Sequence, residues 1–317
     1  MAAPLTFGTI YRSPGYGADL KEFAPEVERL GYDDIWFNET ILGRGPYADT
    51  LACMAAAAGC THRLRLGTAI LLLPLHHPVL VAKAVGTIDV ISGGRVTLGV
   101  GVGGEWTESF EALGVRVADR GGRTDEGIHV LKMLWTGKRV SNDGPRFPFR
   151  DVELLPPPLQ KPHPPIWIGG RPTSKDGTLY PSLRRTGVHG DGWLPYLVTP
   201  DMYREGWKKI RAYAEAAGRS IDDISPGLVL TLTIAGSREE ARQLAVAEQG
   251  RVYRQDFERL VDKYDIYGTP EDCIKGIEKY IDAGARHIVF QWRCPMADSP
   301  ANMKLAGEKI LPYFRSH

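Results

Sequence analysis

Four short stretches of the sequence hold groups suited to chemistry on a small molecule. Asn38-Glu39-Thr40 closes an apolar run and presents a carboxyl group that can donate a proton or bind substrate. The bland alternative for Glu39 is a salt bridge at a rim, to Arg44 or another arginine. His76-His77-Pro78 supplies two imidazoles. His77 stands directly before a helical pattern opened by proline and reads as its cap, which leaves His76 as the site candidate. Gly99, Gly101, Gly103 and Gly104 follow one another closely. One such glycine reads as a tight turn, whereas four read as bare backbone against which a flat ring can lie. Gly169-Gly170-Arg171 ends an apolar strand before a helix, where backbone N–H groups and a guanidinium suit an anion. The alternative there is an exposed turn with solvated Lys175 and Asp176.

These stretches need a scaffold that gathers them. Apolar, β-branched runs at residues 5–10, 34–38, 65–71, 95–100, 166–168, 192–195, 228–234 and 287–291 read as strands. Helical patterns alternate with them at 19–31, 49–59, 78–91, 105–113, 123–135, 177–186, 201–217, 238–263 and 270–283, and 302–314 ends the chain. Strands without polar alternation, separated by helices, indicate a parallel sheet buried on both faces. Eight units fit a (β/α)8 TIM barrel of the α/β class better than an open doubly wound sheet, and no G-x-G-x-x-G follows the first strand. In such a barrel the site lies at the C-terminal strand ends, where all four stretches fall. Trp36, Trp106, Trp193 and Trp292 fall there too. They suit an aromatic-lined pocket, or individually the core. The rhythm breaks at 138–165, where Asn142-Asp143-Gly144 precedes a proline-rich segment. This reads as an inserted hairpin and a stiff excursion that partly covers the mouth. The whole of 1–317 reads as one domain.

Composition narrows the function classes. Lys and Arg total 39 against 38 Asp and Glu, a net charge of +1 that argues against a nucleic-acid partner. The longest apolar run, 68–75, is far too short for a membrane span. Cys53, Cys60, Cys273 and Cys294 form no C-x-x-C pair and no zinc-ligand spacing, so no metal is expected and a reduced, cytoplasmic protein is.

Three longer segments carry a family resemblance. They are residues 63–115 with RGGRTDE at 120–126, then PPIWIGG at 164–170 with GDGWLP at 190–195, then 267–291. In order and spacing they resemble the bacterial-luciferase-like family of flavin and deazaflavin oxidoreductases, over nearly the whole chain. The resemblance implies a luciferase-like barrel with an insertion after strand four and a reduced flavin-type cofactor across its mouth. It implies ring contacts at Asn38, Leu73, Val102, Gly103 and Gly104, and a supporting backbone irregularity within 71–75. The cofactor's phosphate is expected at Gly169, Gly170, Arg171 and Thr173, in a connection several residues longer than the usual one. Glu39, His76 and Glu105 are the catalytic candidates; Glu105 has a second reading as a helix N-terminal carboxylate. Many deazaflavin-using members carry Asp-His where this chain has Glu39-Thr40, so the family's histidine role does not transfer.

Hydride transfer between coenzyme F420 and a small organic substrate is the leading functional expectation. The alternative is an FMN-dependent monooxygenase, using reduced FMN from a separate flavin reductase. A non-catalytic flavin-binding barrel is a third reading. A metal-dependent hydrolase lacks the clustered ligands it needs. The resemblance further implies a homodimer, for which the small residues at 55–58 would permit close helix approach.

Overall fold

A computed structural model describes residues 4–42, 47–104, 106–172, 181–253 and 258–316. Eight parallel strands close a ring: β1 (Thr6–Ile10), β2 (Asp34–Phe37), β3 (Arg65–Thr68), β4 (Val96–Val100), β7 (Ile166–Gly169), β8 (Gly192–Leu194), β9 (Ser225–Ile234) and β11 (His287–Trp292). Each pairs with the next, and β9 closes the ring between β8 and β11. All eight coincide with the runs expected from sequence. A ninth strand, β10 (Ile266–Gly268), pairs with the far end of β9 outside the ring. Its three residues are too short to show a periodicity.

The ring is filled rather than hollow. Ile10, Trp36, Trp167, Leu194, Val229 and Val289 pack inside it, and the half-buried Ala69, Ile70 and Tyr196 lie against them from the C-terminal side. A larger apolar layer packs between the strands and the surrounding helices. Trp193 and Trp292 belong to that layer. Trp193 stacks on Tyr203 at 5.0 Å, and the Trp292 indole N–H donates to Thr9 Oγ1 at 3.0 Å. With Trp36 also buried, three of the four strand-end tryptophans are core, and only Trp106 is half-exposed.

Local signals set the helix starts. His77 accepts from the Val79 N–H ahead of helix Pro78–Ser92, the cap read from sequence. Thr269 and Asp272 form a reciprocal capping box on helix Pro270–Asp282. The 238–263 pattern is divided into helices Arg238–Tyr253 and Glu258–Tyr264.

The excursion after β4 is an antiparallel hairpin, β5 (Val140–Asn142) with β6 (Phe149–Val152), followed by the proline segment. It runs down the flank of the barrel instead of over the mouth. Phe147 touches His77 and Arg123 at the rim, while Gln160 donates to Asp89 and to the Val96 carbonyl at the start of β4. Glu126 on helix Arg120–Leu134 fixes the hairpin by accepting from the Phe147 and Arg146 amides. Ala57 and Ala58, expected at a subunit contact, are buried against this chain's own core.

The glycines of β4 serve the barrel itself. A Cβ at Gly99 would overlap the Thr68 carbonyl oxygen, and one at Gly101 would overlap the Ile70 side chain. A Cβ at Gly169 would stand 2.8 Å from Ile70 Cγ2. Ile70 therefore occupies space kept open by glycines on two other strands. Gly99→Ala should cost more stability than Gly101→Ala, because a backbone carbonyl cannot swing aside as an isoleucine methyl can. A loss of about 3 kcal/mol or more at Gly99 is expected on the scale of core overpacking. Urea midpoints of the two variants check this; equal or reversed losses would contradict it.

Candidate active site

The chain beyond β3 turns sharply at the mouth. The Ala69–Ile70 peptide is cis, Leu71 then pairs again with β4 through the Gly99 carbonyl and the Gly101 amide, and Leu73–Leu75 forms a 3-10 turn. The expected irregularity thus includes 69–70 and begins before 71–75. Leu73 itself is buried, its side chain packed toward Gly127, so it can meet a ligand only through backbone.

This turn brings Glu39 and His76 together. Glu39 Oε1 lies 2.9 Å from His76 Nε2, and Glu39 Oε2 accepts from the Leu72 N–H at 2.6 Å. The Glu39 side chain is 5% exposed and that of His76 is 25% exposed. Among the described residues Glu39 is paired with His76 and with no arginine; Arg44 lies outside them. Both its oxygens are engaged, so its partner is the member that reaches the mouth. Burial pushes the His76 imidazole down, but the hydrogen bond from Glu39 and the charges of Glu39 and Asp49 outweigh it. The net effect raises His76 above its ordinary 6.5.

Around the ring from this pair, Val102, Gly103 and Gly104 end β4 half-buried, with positive φ at both glycines. Gly170 has φ 142; its carbonyl accepts from the Trp193 indole at 3.1 Å, and a Cβ there would meet Ser182 Cβ at 2.7 Å. Ser182 opens helix Pro181–His189 and donates to the Arg171 carbonyl at 3.1 Å. Among the described residues none pairs with the half-buried Arg171 guanidinium. Glu105 and Thr173 lie outside the described residues, as do Ser174 and Lys175.

On the other side, β1, β2 and β11 end at a cavity bordered by Tyr11, Arg12, Phe37, Asn38, Gln291 and Arg293. Asn38 is held there by its carbonyl, which accepts from Thr50 at 2.7 Å. Arg12 is buried. It donates to Glu248 at 2.5 Å, to the Cys294 carbonyl at 2.5 Å and to Ser299 at 2.6 Å, while Arg251 binds the same Glu248 at 2.7 Å. Sequence reading missed this network, because Arg12 and Glu248 share no pattern and are joined only by barrel closure. A larger cavity, about 400 Å³, opens at the opposite, N-terminal end beside the Asp34–His287 pair. It is remote from Glu39 and His76. The mouth is the better candidate, because it brings a buried carboxylate–imidazole pair and an arginine beside a helix to the C-terminal end of the barrel.

A flat cofactor with an anionic tail fits these residues. Ala69, Ile70 and Tyr196 offer a half-exposed apolar surface over the filled barrel, and Arg171, with no partner among the described residues, stands beside helix Pro181–His189.

The fold is a closed parallel barrel with surrounding helices, and its candidate site lies at the C-terminal mouth. The chain matches the family described as luciferase-like monooxygenase over residues 2–287, and it belongs to that family of oxidoreductases. An F420-dependent glucose-6-phosphate dehydrogenase from Beutenbergia cavernae is 28% identical over 95% of this chain and 97% of its own. A 4-hydroxyprotoasukamycin monooxygenase from Streptomyces nodosus subsp. asukaensis is 30% identical over 82% of this chain and 70% of its own. A monooxygenase from Streptomyces bottropensis has the same fold, with a TM-score of 0.82 at 24% identity over 98% of this chain and all of its own.

Gly170 has no room for a side chain, because a Cβ there would stand 2.7 Å from Ser182 Cβ. Gly170→Val should lower the melting temperature by several degrees, whereas Arg171→Ala should leave it within a degree or so, as expected for a half-buried side chain without partners among the described residues. Thermal melts of both variants, with equal loss in the two as the contrary result, test the assignment.

Proposed function

We propose that this protein transfers a hydride between coenzyme F420 and a small organic substrate whose reacting carbon bears oxygen. The observation that carries the proposal is the Glu39–His76 pair. Interconverting an alcohol and a carbonyl requires a group at the mouth that takes or returns a proton as the hydride moves. His76 is partly exposed, and its charged form is favoured by Glu39, so it can hold that proton near neutral pH. Glu39 orients the imidazole and stays buried. When bound, F420 supplies or accepts the hydride without activating oxygen. Gly170 and Arg171 would hold its phosphate end, and Ala69, Ile70, Val102, Gly103 and Gly104 would face its ring. Near-full-length similarity to relatives named as F420-dependent dehydrogenases supports this choice.

The alternative is an oxygen-using enzyme with reduced FMN and a separate flavin reductase. Similarity to a relative named as a monooxygenase favours it. Under either reading we take the chain as one barrel domain acting in the cytoplasm as a homodimer. Four free cysteines accord with a reducing compartment. No helix of the described residues is long and apolar enough to cross a membrane. For pairing we favour helix Pro78–Ser92, whose Leu80, Val90 and Ile91 are exposed, over residues 55–58.

Anaerobic titration of the purified protein with reduced F420 and with reduced FMN tests the cofactor. The expected outcome is tighter binding of F420, weakened about 10- to 100-fold in Arg171→Ala, the scale of one charge-assisted hydrogen bond. Binding of FMN alone would favour the monooxygenase reading, and unaltered affinity in Arg171→Ala would remove Arg171 from the phosphate site.

A further inference from the structure

The loop after β1 is built around an unusual residue. Tyr16 has φ 49, in the left-handed region that a bulky side chain adopts only at a cost, and its ring is 47% exposed. Glycine would fit this position without strain, and glycine indeed follows it. The loop is firmly tied down: Tyr11 and Ser13 both bond to the Asp19 carboxylate, and the Gly17 amide donates to the Tyr11 hydroxyl at 2.7 Å. A braced loop thus holds nearly half of this residue's surface in water at the cost of a left-handed backbone. Tyr47, which follows β2 on the neighbouring loop, is likewise 41% exposed. Both rings border the mouth cavity with Tyr11 and Phe37, and both stand near Arg251, which the Glu248 network fixes in place. Glu39 and His76 lie beside this wall, between β2 and β3.

We infer that Tyr16 and Tyr47 are specificity-determining residues that stack on the substrate, and that the substrate is a planar aromatic or conjugated molecule. Flat rings gain from face or edge contact with tyrosine in a way that saturated or sugar-like molecules do not. The inference rests on the reading of the mouth as the active site and adds the class of molecule that enters it. The corner formed by β4 and β7 takes the cofactor, and the wall formed by β1, β2 and β11 takes the substrate.

The test is calorimetric binding of 2-naphthol and of its saturated counterpart, decahydro-2-naphthol, to the full chain without cofactor. The wild-type protein should bind 2-naphthol at least ten-fold more tightly than the saturated compound. Tyr16→Gly and Tyr47→Ala should each weaken 2-naphthol about ten-fold and leave the saturated compound unchanged. Tyr16→Gly should also melt no lower than wild type, because glycine relieves the backbone. Equal binding of the two compounds, or unchanged 2-naphthol affinity in both variants, would overturn the inference. If Tyr16→Gly melts lower, Tyr47→Ala decides the matter. Because no cofactor is present, failure here is distinct from failure of the F420 titration.

Discussion

One isoleucine needs space that two other strands must give up. Ile70 lies where side chains at positions 101 and 169 would otherwise be, and the mouth takes its shape from that seat. With Ile70 seated, Leu71 rejoins β4, the Leu72 amide meets Glu39, and the 3-10 turn delivers His76 to the other oxygen of the same carboxylate. The glycines that look like a bare ligand surface in the sequence act first on the protein's own chain. Any ligand surface at the mouth is the one Ile70 and Ala69 present after that packing is complete.

The electrostatics follow from burial. A carboxyl group as buried as that of Glu39 needs hydrogen-bond partners. A backbone amide and an imidazole meet that need, and the imidazole is thereby made more basic. The pair stands on β2 and β3, between two unlike halves of the mouth. On one side, glycine-rich backbone and Arg171, which has no partner among the described residues, suit a flat anionic cofactor. On the other, arginines tied to Glu248 and partly exposed tyrosines border a cavity. A proton carrier at the seam can serve a molecule in either half.

Much of the scaffold was legible because its signals are local. Eight apolar runs gave the eight ring strands, and His77 before Pro78 gave a helix cap. Glu39 and His76 were each legible as site candidates, yet their pairing was not, since 37 residues and a strand crossover separate them. The tryptophans misled because a residue near a strand end can face the helix layer, as Trp193 and Trp292 do. Arg12 stayed hidden because its meaning depends on a glutamate 236 positions away. Gly170 was expected to stand before a helix, and its near neighbour Ser182 lies in helix Pro181–His189. The contact that requires glycine is with Ser182, twelve positions along the chain, which no local pattern signals.

The most direct test of the central claim, that Glu39 keeps His76 ready to carry a proton, is the NMR titration of the His76 ring in the wild-type protein and in Glu39→Gln. Wild-type His76 should titrate above 6.5. Without the carboxylate, burial acts with little opposition, and the midpoint should fall below that value. The sign extends to stability: the pair's contribution is full at pH below the unfolded value and disappears as pH rises through the folded one. A wild-type midpoint at or below 6.5, or one that does not move in Glu39→Gln, would contradict the coupling on which the proposed chemistry depends.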